Sequence, residues 1–410
     1  MAQVDSTSFN AALKAYYTDE YVRNLVYEDN PLFAMLSKFE SWTGSNYTVP
    51  IQYGISSASR SADITVSLAR KDTNKYKKFE ITEAVDDNAI SISRLVMKKS
   101  GNNRGAFFTA KTREVDGMLQ TLINSCSHAL YRNGGGAIGQ ANASGPSTTT
   151  FTLLEPEDVV FFEFGMNLQA SATDGTSGSL LDGGQTGNIS AVNRETGLIT
   201  SGSNWTAAGQ IPSLAASSYL FPEGDFGAKL KGLQGWCPNT APTVGGGDSF
   251  YGVDRSVDSR LSGTRVDVSA KTILGGGREA ASRLSREGGK ANCWFMSPNK
   301  RNDLVTELDN KVQYTETGTD ASVGFTAIKL VGYKKPILVY EDHNCPDGRS
   351  FMFNMDDFKI LSMGPIPEMI DEDGVTMLRE ATNNGFEIRA EYIAALACHD
   401  TKNIVNLQME

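Results

Sequence analysis

Histidine is scarce in this chain: His128, His343 and His399 are the only three among 410 residues. That scarcity weakens metal sites and most proton-transfer chemistry built on imidazole. Cysteine is sparse and odd in number, with Cys126, Cys237, Cys293, Cys345 and Cys398 scattered along the chain. Such a set argues against a disulfide framework and for reduced, buried thiols made in a cytoplasm. No apolar run approaches the ~20 residues of a membrane span. Positive charge is in deficit, 38 Lys and Arg against 48 Asp and Glu, for a net charge of -10. A dedicated nucleic-acid binder needs a positive field to neutralise phosphate, so that class is disfavoured. The opening MAQVDSTSFNAALKAYY has no basic segment leading into an apolar core, so no secretory signal is visible.

What is present is length, glycine and uneven charge. The length suggests two or three domains with ample material for a core, and 40 glycines point to many turns. Residues 1–135 carry a net charge of +2, residues 136–225 carry -8, and residues 226–410 carry -4. The middle block has no Lys, one Arg (Arg194), and Gly/Ser/Thr-rich text such as SATDGTSGSLLDGG. A composition shift of this size marks an inserted domain.

Periodicity divides the chain further. Ala11, Ala12, Ala15, Tyr16, Tyr21, Val22, Leu25 and Val26 recur at helical spacing. Asn30-Pro31 interrupts them, and Leu32, Phe33, Met35, Leu36 and Phe39 resume the stripe. This opening segment reads as an arm that must lie on something else. Residues 45–100 read as β structure, with a strand at Tyr47–Ile51, alternation at Ile64, Val66 and Leu68, and again at Phe79, Ile81, Ile90 and Ile92. Between them lies the polar tip ARKDTNKYKK, with Arg70, Lys71, Lys75, Lys77 and Lys78 close together. A long hairpin of this kind is marginal alone and must pack on a neighbour, in the same chain or another.

The clearest helix spans 106–132, where Phe107, Phe108, Val115, Met118, Leu119, Leu122, Cys126, Ala129 and Leu130 fall at steps of three and four before Gly134, Gly135 and Gly136 stop it. It would run ~40 Å. Residues 136–225 show short apolar pieces at 151–153, 159–162, 166–168, 189–192 and 198–200, which suggest a small β-barrel or sandwich. A second helix covers Val266 to Leu284. Its Gly275-Gly276-Gly277 costs about 1 kcal/mol per Gly against Ala, so a break or a close backbone contact is expected there. Trp294-Phe295-Met296 reads as a buried strand, and Ser297-Pro298 opens a helix with an N-cap and a first-turn proline. Strands follow near 327–333, 336–341 and 350–354, and a long alternating strand covers Phe386 to Leu396.

Catalytic constellations are weak. Cys398 and His399 are adjacent and point to opposite faces of a strand, so they form no nucleophile–base pair. His343-Asn344-Cys345 precedes a turn and makes no zinc site. His128 faces away from the apolar stripe of its helix and is expected to be solvated or at an interface. Gly275-Gly276-Gly277-Arg278 lacks the ending of a phosphate loop, and Asp371-Glu372-Asp373-Gly374 lacks calcium-loop spacing, which leaves a solvated acidic turn. No Gly-x-Ser-x-Gly nucleophile motif occurs. For the cations of the hairpin tip, docking against an acidic neighbouring surface fits a chain of this charge better than a merely solvated tip or a nucleic-acid contact.

Arm, long extension, long helix and C-terminal α+β region together expose surface that one chain cannot cover, which points to a subunit built for assembly. In this order, and in the stretches KLKGLQGW (229–236), WFMSPNKRNDL (294–304) and GYKKPILVYED (332–342), the chain resembles the major capsid proteins of tailed bacteriophages, with the Hong Kong 97-type capsid fold. The stretches GMNLQAS and AVNRETGLIT are similar to β-rich insertion domains found in some of these proteins. The resemblance implies an α+β fold with an N-terminal arm (1–44), an extended β-hairpin loop (45–100), a spine helix of the peripheral domain (101–135), an inserted small β-barrel-like domain (136–225), and an axial domain with the rest of the peripheral domain (226–410). It implies hexamers and pentamers of identical subunits in an icosahedral shell that encloses double-stranded DNA without reading its sequence. Portal and scaffolding proteins, a separate scaffold rather than a fused one, and a cement or decoration protein are the partners it suggests. It implies no enzyme activity, cofactor, metal or membrane, and localisation in the virion after synthesis in the bacterial cytoplasm. An encapsulin-like nanocompartment shell shares this architecture and is the alternative; a hydrolase or carbohydrate-binding surface protein using the insertion is a further one.

Overall fold

The computed structural model describes residues 30–93, 104–309, 328–330, 336–371, 374–375, 377–379 and 385–409. The helical positions expected between Ala11 and Val26 lie outside these residues, as do Phe107 and Phe108 as side chains and the acidic pair Glu372 and Asp373.

A helix runs from Arg104 to Tyr131, 28 residues, or about 42 Å. Val115, Met118, Leu119, Leu122, Cys126, Ala129 and Leu130 are buried along one face, as their spacing requires. The glycines after it do more than stop it. A Cβ on Gly135 would sit 1.9 Å from the Asp174 carbonyl oxygen, and one on Gly136 would sit 2.1 Å from that of Asp225. Backbone therefore meets backbone where the chain enters the middle block, and only glycine permits that approach.

The long helix packs on a six-stranded sheet built around the 14-residue strand Gly385–Cys398. Ile388, Ala390, Tyr392, Ala394 and Leu396 are buried on alternate positions of that strand, as the sequence pattern predicts. Its longest partner is Ala84–Ser93, paired antiparallel with Phe386 opposite Ile92 and Ile388 opposite Ile90. This corrects the expectation that residues 84–93 belong to the extended hairpin: the strand leaves it at Glu83 and joins the body. The segment 30–42 also differs from a free arm. Pro31–Met35 is a short helix, Ser37–Phe39 pairs parallel with Phe358–Ser362, and Leu32, Phe33, Leu36 and Trp42 are buried in this chain's own core. The something else on which this stretch lies is its own body.

A second six-stranded sheet runs in the order Thr264–Asp267, Ile404–Gln408, Arg349–Phe353, Cys293–Met296, Ile337–Glu341, Ile328–Leu330. All four residues of Cys293–Met296 are buried. Trp294 and Met296 face the helices Ile273–Arg286 and Pro298–Asp309, and Cys293 and Phe295 face the main core. Ser297 caps the second helix by accepting from the Lys300 amide at 3.2 Å. The triple glycine leaves the first helix unbroken. Gly276 lies against Val268 and Gly277 against the Trp294 ring, where added Cβ atoms would come within 2.4 and 2.6 Å. The helix accepts poor propensity in exchange for a close approach to the sheet.

The middle block holds a third six-stranded sheet, in the order Gly139–Gln140, Tyr219–Pro222, Asn167–Ser171, Gly187–Asn193, Leu198–Ser201, Thr150–Thr152. Its outer strands also meet: Ala141 bridges Leu153, and the Asn142 amide donates to the Thr152 carbonyl at 3.0 Å. Phe151, Leu168, Ile189, Ile199, Trp205 and Leu220 form a core separate from the other two. The apolar piece at 159–162 is not a strand. Pro156–Phe161 is a 3-10 helix, because Pro156 presets its first turn and cannot donate to a ladder.

Two glycine substitutions separate these roles. Gly277→Ala should lower unfolding free energy by about 1–3 kcal/mol, because Trp294 must move. Gly117→Ala lies mid-helix with nothing within 4 Å of its new Cβ. It should raise stability by about 0.5–1 kcal/mol. Urea unfolding of both variants checks the opposite signs.

Candidate assembly surface

The extended hairpin pairs Asn46–Gly54 with Lys75–Thr82 antiparallel, from Asn46 opposite Thr82 to Gly54 opposite Lys75. One face of its base is buried through Val49, Ile51, Phe79 and Ile81. The Phe79 ring packs edge-on against Trp236 and Phe250 at centroid distances of 5.1 and 6.3 Å. The Glu80 amide donates to the Tyr251 carbonyl at 3.0 Å, and the Trp236 indole donates to the Leu396 carbonyl at 3.0 Å. The base is thus fixed to the body.

Beyond Gly54 nothing of that kind continues. Residues 55–74 close the hairpin with a 3-10 turn at Ser57–Ser59 and a helix at Ile64–Ala69, and the Ser56 amide donates to Asn74 Oδ1 at 3.1 Å across the loop. Asp63 caps the helix, accepting from the amide and hydroxyl of Thr65 at 2.8 and 2.7 Å. These hydrogen bonds hold the Asp63 carboxyl below its ordinary range, the hydroxyl bond most. The expected strand at Ile64, Val66 and Leu68 is therefore a capped helix; spacing of two over six residues fits either, and no partner strand is present to select the extended form. Ile64 is 68% exposed, Leu68 59% and Tyr76 63%. Soluble monomers rarely present so many large apolar side chains on one projection.

The cations flank this apolar tip. Arg70, Lys71, Lys75 and Lys78 are exposed, and Lys77 is half-buried. Lys75 pairs with Asp72, and Lys78 pairs with Glu80 at 2.7 Å. Lys77 adds to the Ser256 hydrogen bonds in holding the Asp254 carboxyl below its usual range. Arg70 and Lys71 have no ion-pair partner among the described residues. Chemically the tip can cover apolar surface and meet negative charge.

The other singled-out residues fall elsewhere. Cys398 is buried and burial pushes its thiol well up, while His399 beside it is exposed. His343 is exposed between buried Asp342 and Asn344, with Cys345 buried behind. His128 is not solvated. Its ring lies 4.2 Å from Phe161, and its Nε2 accepts from Arg132 Nε at 3.1 Å. Burial, then the Arg132 charge, hold its pKa well below the usual value, so it stays neutral. The middle block covers that side of the helix, which helical periodicity alone does not reveal.

A cleft between the middle block and the body went unseen in the sequence. It encloses about 430 Å³ and is lined in part by Asp87, His128, Phe161, Glu163, Asp225 and Lys229. Lys229 Nζ lies 2.6 Å from Asp86 and 3.2 Å from Asp225, and donates to Ser125 Oγ at 3.0 Å. Arg132 reaches Asp158 at 3.0 Å from the other side. These groups come from four separate stretches, so no local motif announces them. Burial pushes Asp225 up to about 6 from 3.8, with Lys229 opposing the shift.

That shift has a sign. Below the unfolded value both states are protonated; between about 4 and 6 the unfolded state ionises first, so stability falls as pH rises through that window. The loss is at most about 3 kcal/mol. Asp225→Asn cannot ionise, so its stability relative to the parent should climb across pH 4–6.5. Urea midpoints at a series of pH values check this.

No protein-family model and no curated protein sequence matches this chain. Among solved structures, a chain of the cyanophage A-1(L) capsid asymmetric unit superposes with a TM-score of 0.55 at 12% identity, covering 93% of this chain and 93% of that one. A chain of Mycobacterium phage Bobi gives a TM-score of 0.42 at 10% identity over 93% and 90% of the two chains. A chain of the holo-SrpI encapsulin complex from Synechococcus elongatus PCC 7942 gives 0.44 at 9% identity over 93% and 88%. The fold assignment rests on the cyanophage superposition, which takes in nearly the whole of both chains. This chain has the α+β fold of a phage capsid of the Hong Kong 97 type.

Proposed function

We propose that this chain is the major capsid protein of a tailed bacteriophage and assembles into an icosahedral head that encloses double-stranded DNA. The observation that carries this is the pairing of a capsid fold with an anchored hairpin whose apolar, cationic tip is left uncovered. Subunits form hexamers and pentamers, and the tip docks on a neighbour through Arg70, Lys71, Lys75, Lys77 and Lys78 together with Ile64 and Leu68. Many modest contacts then sum over a closed shell. Residues before the buried stretch at 30–42 act as the arm, 45–83 as the extended loop, 101–135 as the spine, 136–225 as an inserted β-barrel-like domain, and 226–410 as the axial domain with the rest of the peripheral domain, to whose sheet the strand Ala84–Ser93 belongs. The meeting outer strands and separate core of the middle block support its part in this division. The Lys-free middle block, at -8, suits an outer surface away from packaged DNA. The protein acts without catalysis, in the virion, after synthesis in the host cytoplasm, with portal, scaffolding and decoration proteins as its other partners. Among the described residues no helix is long and apolar enough to cross a membrane.

Electron microscopy of the expressed protein, alone and with co-expressed head proteins, tests the proposal: closed shells are expected, and a protein that stays monomeric throughout would sink it. Shells holding a protein cargo and no nucleic acid would move the assignment to a nanocompartment. Replacing residues 56–73 by Asn-Gly keeps Phe79 and the paired base. It should leave unfolding stability within about 1 kcal/mol, because the removed segment is exposed. The shortened protein should remain soluble and fail to close shells.

A further inference from the structure

The receptor for the tip also lies on this chain. Residues 154–164 read LEPEDVVFFEF, with acidic and apolar side chains interleaved. Leu154 and Val160 are exposed, and Phe164 is 77% exposed at the turn before Gly165. Glu157 and Glu163 are exposed beside them. Arg194, the one cation of residues 136–225, already pairs with Glu163 at 2.8 Å on the open surface, where such a pair holds weakly. Val160 and Glu163 also line the 430 Å³ cleft, as does Asp87. Asp87 is exposed and has no ion-pair partner among the described residues.

We propose that the hairpin tip of one copy docks on the 154–164 segment of the next, with Ile64 and Leu68 covering Val160 and Phe164 while Arg70 and Lys71 reach Glu163 and Asp87 at the cleft. The assignment rests on the assembly function proposed above. Three observations select a second copy as the occupant. The two surfaces are complementary in charge, six cations against two carboxylates over residues 55–78, facing a block at -8. Both present large apolar side chains to solvent. Within one chain both remain exposed, so neither covers the other. A projection and its receptor on the same subunit make a head-to-tail interface, which closes into rings when the rotation allows. Phe164 is the anchor, an aromatic side chain free to be enclosed at the centre of the contact, and the opposed charges set approach and register.

Disulfide trapping tests this, since all five native cysteines are buried and stay out of the reaction. The full-length double variant Leu68→Cys with Val160→Cys is assembled, oxidised with copper phenanthroline and run on a non-reducing gel. The controls are Leu68→Cys alone and Leu68→Cys with Val244→Cys, a site in another loop that is more exposed than Val160, 88% against 46%. The expected result is a ladder at multiples of the chain mass from the Val160 pair only, lost when Phe164→Ser is added. Shells that form normally while the Val160 pair gives no ladder, or no more than either control, overturn the docking site and leave the assembly function standing. A parent protein that never forms shells or rings overturns both.

Discussion

A two-stranded ribbon cannot bury both of its faces, and here the body supplies a partner for only part of one. Phe79 seated against Trp236 and Phe250 fixes the base of the hairpin. That anchor governs the tip, because the closing segment 55–74 contributes no residue to the three cores. Fully burying a side chain of the size of Ile64 or Leu68 is worth about 1.5–3 kcal/mol. The tip therefore carries unrealised hydrophobic free energy in a fixed direction. A floppy loop with the same residues would fold back and lose it; the anchored ribbon keeps it available for a second molecule.

The features legible in the sequence are those whose cause is local. The long helix shows its period and then meets three glycines; Ser297-Pro298 states a cap; Phe386 to Leu396 alternates without interruption. The triple glycine is readable as a choice between a break and a close contact, and the Trp294 ring resolves it. The features that escape are set by distant partners. The alternation of Ile64, Val66 and Leu68 carries no information about whether a second strand lies alongside. Ala84–Ser93 continues the hairpin in sequence but pairs with a strand some three hundred residues later, a choice made by the sheet and not by the segment. His128 points away from its own helix's stripe, and only Phe161 from the middle block shows why it is buried. The cationic tip can be found from sequence; the acidic, apolar segment at 154–164 cannot be told there from a strand of the inserted core.

The exits of the chain from the body are pinned by buried polar groups. The Asp342 carboxylate, almost wholly buried, accepts from the Leu32 amide at 3.3 Å, the Tyr131 hydroxyl at 2.9 Å and the Asn344 amide. It therefore ties together the start of the described chain, the end of the long helix and the end of the Ile337–Glu341 strand. Lys229 does the same where the middle block returns, holding Asp86 of the sheet, Ser125 of the helix and Asp225 of the block. Each knot is costly to bury unless all its members are present. That cost is what makes them specific: a rotated block or a shifted arm would leave a buried charge unpaired, whereas an apolar junction would tolerate the slip.

Anchored protrusions and pinned exits serve the same requirement. A shell closes only if the angle between successive subunits is reproduced at every contact, since a heterologous interface with a loose angle propagates into open filaments. The weak apolar and ionic contacts at a tip cannot enforce an angle by themselves. In the proposed interface the directional information comes from the body, through the Phe79 anchor at the base of the hairpin and through the Lys229 junction, which lines the same cleft as Val160 and Glu163. On that proposal, stability of the single chain and geometry of the assembly are set by the same few buried groups, while affinity between copies is left to the exposed ones.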